Sequence, residues 1–157
     1  MSQSKSETLR RLKIGATMTS IAGCFPLGFG LYFFVLFYFS LAQPAEPWRA
    51  GQFTPAPYSL EDVRACNESL GTYFVLSQHM ELANLINTGT MVLIISLFGL
   101  RRRQKWAWFT LLTIFLWVGL NDAAAFIEAQ LPAIPLIPEA FGLTGLFVAR
   151  RAIFPKD

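Results

Sequence analysis

The chain has 157 residues, which is room for one domain. Hydrophobic residues make up 54% of it and charged residues 15%, whereas about a quarter of the residues of a typical soluble domain are charged. This composition excludes an ordinary soluble protein and favours an integral membrane protein. The formal net charge of +3 does not indicate nucleic acid as a partner, because the basic residues are placed at membrane boundaries.

All but two of the 13 lysines and arginines lie in residues 5–13, 101–105 and 150–156, which alternate with the apolar blocks. Short loops on the cytoplasmic side of a membrane carry such an excess of positive charge. We therefore expect the lipid bilayer as the first partner, the cell (inner) membrane as the location, and both termini in the cytoplasm.

Residues 14–41 predict the first membrane span, which exceeds the ~20 residues needed to cross a bilayer and contains Pro26 as a kink. A cleaved signal peptide is the rival interpretation. We prefer an uncleaved anchor, because the apolar run is about twice a usual signal-peptide core. Small residues recur at every fourth position and predict a face that another helix can approach closely: Ala16, Ser20, Cys24 and Gly28.

Residues 42–72 predict an outer loop that is rich in proline and acidic residues. Within it, Ser59 followed by Asp62 resembles a helix-capping pair, and apolar residues follow at helical spacing. The pattern predicts a short amphipathic helix at the membrane surface, ended by Gly71.

Residues 73–100, 106–129 and 134–151 predict three further spans, so the expected fold is an all-α, four-helix transmembrane bundle in a single domain, residues 1–157. Trp106 and Trp108 adjoin Lys105, where aromatic rings anchor a helix at the headgroups. The last span has its own face of small residues: Gly142, Gly145 and Ala149.

Polar side chains interrupt these spans. Counting ~1.5 Å per residue from the predicted span ends places the titratable ones at one level in the outer half of the membrane. Their helical phase predicts polar stripes on the second and third spans, with His79 on the flank of the first stripe and Asp122 ~100° from the second. The two stripes should face each other because lipid offers no hydrogen-bond partner. We expect a polar cavity with these ligand-binding candidates: His79, Glu81, Asn84, Asn87, Trp117, Asn121, Asp122 and Glu139.

Three interpretations of this cluster remain open. The polar groups hydrogen-bond helices together, or they line a pocket for a lipophilic molecule with a polar or cationic head, or they perform chemistry. Candidates for proton transfer are His79, Glu81 and Asp122. For a metal, His79 and Glu81 point ~200° apart on a helix, which is unfavourable. Ligation of haem or a pigment needs only His79, so the sequence leaves the cofactor unknown.

We favour a non-catalytic role, either binding of a lipophilic ligand or docking as an accessory subunit of a larger membrane complex on the small-residue faces. A homo-oligomer is also open. The alternative is a membrane-embedded enzyme, either isomerase-like or dependent on metal or haem. A transporter is disfavoured, because the chain contains no internal repeat.

The hairpin Arg101-Arg102-Arg103-Gln104-Lys105-Trp106-Ala107-Trp108, after a span that contains Gly99, resembles that of small four-helix bacterial membrane proteins with a basic Trp-Ala-Trp hairpin. In those proteins a glycine is common where this chain has Arg103. The stretch from Ser59 to His79 is also similar. The resemblance covers about half of the chain and implies a four-helix fold in a bacterial inner membrane, with no assigned activity.

Overall fold

The computed structural model describes residues 2–40, 64–129 and 136–155. These residues form four long helices: α1 (Ser2–Ser40), α2 (Glu68–Ile94), α3 (Lys105–Ala129) and α4 (Leu136–Ile153). A π-helical segment (Ile95–Gly99) and a 3-10 turn (Leu100–Arg102) continue α2 into the hairpin. The predicted all-α class is confirmed for the described residues.

Three helical segments are long and apolar enough to cross a membrane: Ser6–Val35, Glu68–Arg102 and Lys105–Ala124. Helix α4 does not reach this standard within the described residues, because its 18 residues include Glu139, Arg150 and Arg151. The sequence predicted four spans, the fourth of them short unless residues from 134 onward also lie in the membrane, and the structure supports three.

Helix α2 begins earlier than the predicted span. The side-chain oxygen of Asn67 accepts hydrogen bonds from the backbone N–H groups of Ser69 and Leu70, at 2.9 and 3.2 Å, which is the geometry of an N-cap. Gly71 is therefore inside α2 and does not end a separate amphipathic helix, which corrects that expectation. A helical turn precedes the cap at residues 64–66, and residues 42–63 of the predicted loop lie outside the described residues.

The hairpin between α2 and α3 closes on backbone hydrogen bonds. The N–H of Arg103 donates to the carbonyl of Leu100 at 2.9 Å, and the N–H of Gln104 donates to the carbonyl of Gly99 at 3.1 Å. Arg103 has a φ of 58°, in the left-handed region that favours glycine. The arginine thus occupies a backbone position that glycine would adopt without steric cost.

The helices lie side by side in the order α2, α1, α4, α3. Neighbours are antiparallel, so residues 5–13, 101–105 and 150–151 come to one end of the molecule, here called the basic end; the opposite one is the loop end. Along their lengths, α2 and α3 make no extended contact among the described residues and meet only where the π-helical segment and 3-10 turn touch α3. Among the described residues, α2 and α3 are therefore apart towards the loop end.

Small residues set the closest approaches. Gly15 of α1 lies against Gly145 and Ala149 of α4, and Gly23 of α1 lies against Gly89 of α2. These contacts let helix backbones touch, as small residues do at membrane helix interfaces. The core is concentrated towards the basic end, where Leu100, Leu111, Leu146 and Val92 are fully buried.

Candidate functional site

Asp122 and Glu139 are the predicted site residues that the structure brings together. Gly119, one turn before Asp122 on α3, lies opposite Glu139 of α4: a Cβ on this glycine would be 3.6 Å from the Cβ of Glu139. The carboxyl groups of Asp122 and Glu139 are close enough to interact electrostatically. Glu139 Oε2 is buried and has no hydrogen-bond partner within the described residues.

The helix register fixes the depth of this carboxyl pair. Gly89 of α2 faces Gly23 of α1, and Gly145 of α4 faces Gly15 of α1. The two contacts are eight residues apart along α1. Since α4 runs antiparallel to α1, the residue of α4 that is level with Gly89 precedes Gly145 by about eight positions. This is residue 137, two positions before Glu139.

His79 and Glu81 do not share that depth. Glu81 precedes Gly89 by eight residues, and Glu139 lies about two residues on the other side of the Gly89 level. Glu81 is therefore ~15 Å nearer the loop end than Glu139, at ~1.5 Å per residue. His79 lies slightly farther out; it is half-buried, with its Nε2 atom inaccessible to solvent. The expectation that four titratable groups share one level is therefore wrong, because α2 starts farther out than the sequence predicted and α4 starts deeper.

A polar face of α2 points away from the rest of the molecule. Glu81, Asn84 and Asn87 are all exposed, and the packed face of α2 consists instead of residues such as Leu82, Gly89 and Val92. No side-chain hydrogen bond from these three polar residues occurs in the part of the chain that the structure describes. By the same register, Asn87 lies ~6 Å nearer the loop end than Glu139.

The polar stripe of α3 is bonded within its own helix. Asn121 Nδ2 donates to the carbonyl of Trp117 at 2.8 Å, and Thr113 Oγ1 donates to the carbonyl of Phe109 at 3.0 Å. The Trp117 ring is 68% exposed. Because α2 and α3 are apart, this stripe does not face the stripe of α2, which differs from the sequence expectation.

The small-residue face of α4 allows the close helix approach that the sequence predicted, but it does so inside the molecule, whereas that of α1 is only partly packed. Gly142 packs under the Phe115 ring and Gly145 packs on α1, so both are used inside the molecule. Cys24 and Gly28 face outward, and no atom of the described residues lies within 4 Å of a Cβ built on Gly28. Among the described residues no group of three metal-ligating side chains converges.

Two features had no clear signal in the sequence. Ser96, in the π-helical segment, is 0% exposed, and its Oγ has no hydrogen-bond partner among the described residues. At the basic end, Arg11 of α1 and Arg151 of α4 line one cleft. The clustering of basic residues places these two arginines at the same end, but it does not indicate which of them meet.

Comparison with protein-family models, with curated proteins and with solved structures finds no match to this chain. The function proposed below therefore rests on the geometry of the described residues.

Proposed function

We propose that this protein is a non-catalytic integral membrane protein that docks, as an accessory subunit, against another helical membrane protein. The docking surface is the polar face of α2, formed by Glu81, Asn84 and Asn87. The observation that carries the proposal is that Asn84 and Asn87 are exposed, and form no side-chain hydrogen bond with the described residues, on a helix long enough to cross a membrane.

Hydrocarbon has no hydrogen-bonding groups, so an exposed amide inside the bilayer costs several kcal/mol unless another polar group reaches it. A transmembrane helix with its own polar side chains meets that need, and hydrogen bonds between membrane helices contribute ~0.6–2 kcal/mol each. The preferred partner is therefore a helix that presents hydrogen-bonding side chains at the depth of Asn84 and Asn87.

The orientation follows from charge. Basic residues of α1, the hairpin and α4 gather at one end of the molecule, which the positive-inside rule assigns to the cytoplasm. We place the protein in a bacterial inner membrane as a four-helix bundle with both termini cytoplasmic. Arg151 follows Glu139 by 12 residues, so the Asp122–Glu139 pair lies ~18 Å from the arginine level, within a hydrocarbon layer ~30 Å thick.

Photo-crosslinking in the native membrane tests the docking surface. A photoreactive residue replaces Asn87, and the matched control replaces Leu120, an exposed apolar residue of α3 within ~5 Å of the same depth. We expect a discrete protein adduct from position 87 and only lipid adducts from position 120. The double variant Asn84→Leu/Asn87→Leu should lose the partner and keep its fold.

Lipid adducts alone from both positions would overturn the docking proposal. An adduct of twice the chain's own mass would replace the accessory role with a homo-oligomer built on the same face.

The second candidate function is binding of a lipophilic molecule with a cationic head at Asp122 and Glu139. It is favoured by the adjacency of two carboxyl groups at hydrocarbon depth, because an unpaired charge there is costly. Native mass spectrometry from a mild detergent should then show a retained small molecule that Asp122→Asn removes. Glu81→Gln, which alters a carboxyl group nearer the outer surface, is the matched control and should retain it.

A further inference from the structure

A cleft opens at the basic end, between the beginning of α1 and the end of α4. Its volume is about 220 Å³, and it is lined by Glu7, Thr8 and Arg11 from α1 and by Arg151 and Ala152 from α4. One water occupies ~30 Å³ in the liquid, so the cleft has room for a small anionic group with some of its hydration. It is remote from the polar face of α2 and from the carboxyl pair.

The two arginines of the cleft are not equivalent. Arg11 donates from Nε and from one terminal nitrogen to the same oxygen of Glu7, at 3.0 and 2.5 Å. A guanidinium group has five N–H donors, so three donors of Arg11 remain and the Glu7 contact fixes its orientation. Arg151 is exposed and forms no ion pair in the described part of the chain.

The surroundings favour an anion. The cleft holds two positive charges against one negative charge. A further arginine precedes each of the two in the sequence, Arg10 before Arg11 and Arg150 before Arg151. Arginine is the side chain best suited to phosphate, because its planar fork matches two phosphate oxygens. The carboxylate of Glu7 opposes an anion and neutralises part of the charge of Arg11.

The cleft lies at the depth of the phosphate groups of lipid headgroups. It lies at the basic end, where the apolar part of α1 begins and where α3 begins. There Trp106 is exposed, and Lys105 Nζ sits 5.8 Å from the Phe154 ring centroid. Aromatic rings and lysines of this kind mark the headgroup region. Basic pockets between membrane helices on the cytoplasmic side bind anionic lipid headgroups.

We propose that the cleft between α1 and α4 binds a phosphate group through Arg11 and Arg151. Two sources share this chemistry: the headgroup of an anionic phospholipid and a soluble phosphate compound. The site is independent of the proposed docking function, since it uses other helices and the opposite end of the molecule.

Binding is measured on the full chain, purified in an uncharged detergent, by native mass spectrometry and by protection against thermal unfolding. The probes are phosphatidylglycerol, phosphatidylcholine and glycerol phosphate. Arg151→Gln and Arg11→Gln should each weaken binding of the anionic probe about fivefold, which corresponds to ~1 kcal/mol per basic residue at a membrane surface. Glu7→Gln should strengthen it, because the competing carboxylate is removed.

Arg150→Gln is the matched control. It removes the same charge from the neighbouring position of α4 but does not line the cleft, so it should leave binding almost unchanged. Retention of phosphatidylglycerol over phosphatidylcholine identifies the lipid as the source, and equal protection by glycerol phosphate identifies a soluble compound. An equal loss from Arg150→Gln and Arg151→Gln, or no binding of any anionic probe, would overturn the proposal.

Discussion

The carbonyl oxygen of Gly15 lies directly against Gly145, so that a methyl group on Gly145 would be 2.9 Å from that oxygen and 2.8 Å from Met18 Cβ. The α1–α4 interface therefore depends on the absence of a side chain at this position. Gly28, on the outer side of α1, has open space around it, which provides a matched comparison.

Gly145→Ala should destabilise the protein by about 1–3 kcal/mol, because backbone and Met18 must move to admit the methyl group. Gly28→Ala should be neutral or stabilising by up to ~1 kcal/mol, since alanine is the better helix former. The free energy of unfolding in mixed micelles measures both. Similar losses from the two variants would contradict the contact.

Arg103 supplies a second test. Its left-handed backbone costs a non-glycine residue ~1–2 kcal/mol, so Arg103→Gly should raise the free energy of unfolding by about 1 kcal/mol. Arg103→Ala should give no such gain, because alanine has the same backbone strain. A gain from alanine equal to that from glycine would attribute the effect to the lost charge.

Trp108 is tied to α4 by a side-chain hydrogen bond. Its Nε1 donates to the carbonyl of Leu146 at 2.9 Å, and its ring packs edge-on against Phe154 at 5.4 Å between centroids. Trp108→Phe should cost about 1 kcal/mol of unfolding free energy, the usual net value of such a bond. Trp117→Phe, at an exposed ring, should cost almost nothing, and an equal cost would argue against the bond.

Asn87 separates the requirements of folding from those of docking. Asn87→Leu should leave the isolated protein in detergent as stable as the wild type, because the amide forms no hydrogen bond within the described residues. In the native membrane the same variant should release the partner. A loss of stability in detergent would show that the amide contributes to the fold itself.

The sequence was most informative where charge and aromatic residues mark a boundary. Helix α3 covers Lys105–Ala129, against a predicted span of residues 106–129, because Lys105 and Trp106 identify its start. The first small-residue stripe was only partly informative: Ala16 is buried, whereas Cys24 and Gly28 face outward. Gly15 and Gly23, which make the close contacts, are also small residues in the same span, but they lie on a different face from the predicted stripe.

Depth and neighbour order could not be obtained from the sequence. Counting from predicted span ends assumes that all spans begin in one plane, but α2 begins at Glu68 under the Asn67 cap and α4 begins only at Leu136. Helical phase identified the stripe of Glu81, Asn84 and Asn87. It could not show that α1 and α4 separate this stripe from α3, since that depends on which glycines meet.

The π-helical segment Ile95–Gly99 has a consequence for the rest of α2. A single π-turn accommodates one residue more than an α-helical turn, and one residue corresponds to ~100° of rotation about the helix axis. Deleting one residue within Ile95–Gly99 would therefore let this turn become regular α-helix and leave the outer part of α2 facing as it does now, with Gly89 on Gly23 and Asn87 exposed. Deleting one residue from the regular part of α2 would instead turn everything beyond it by ~100° relative to the hairpin. The wide turn at the buried Ser96 is thus the place in α2 where the chain can lose a residue without changing which side of the helix meets the membrane.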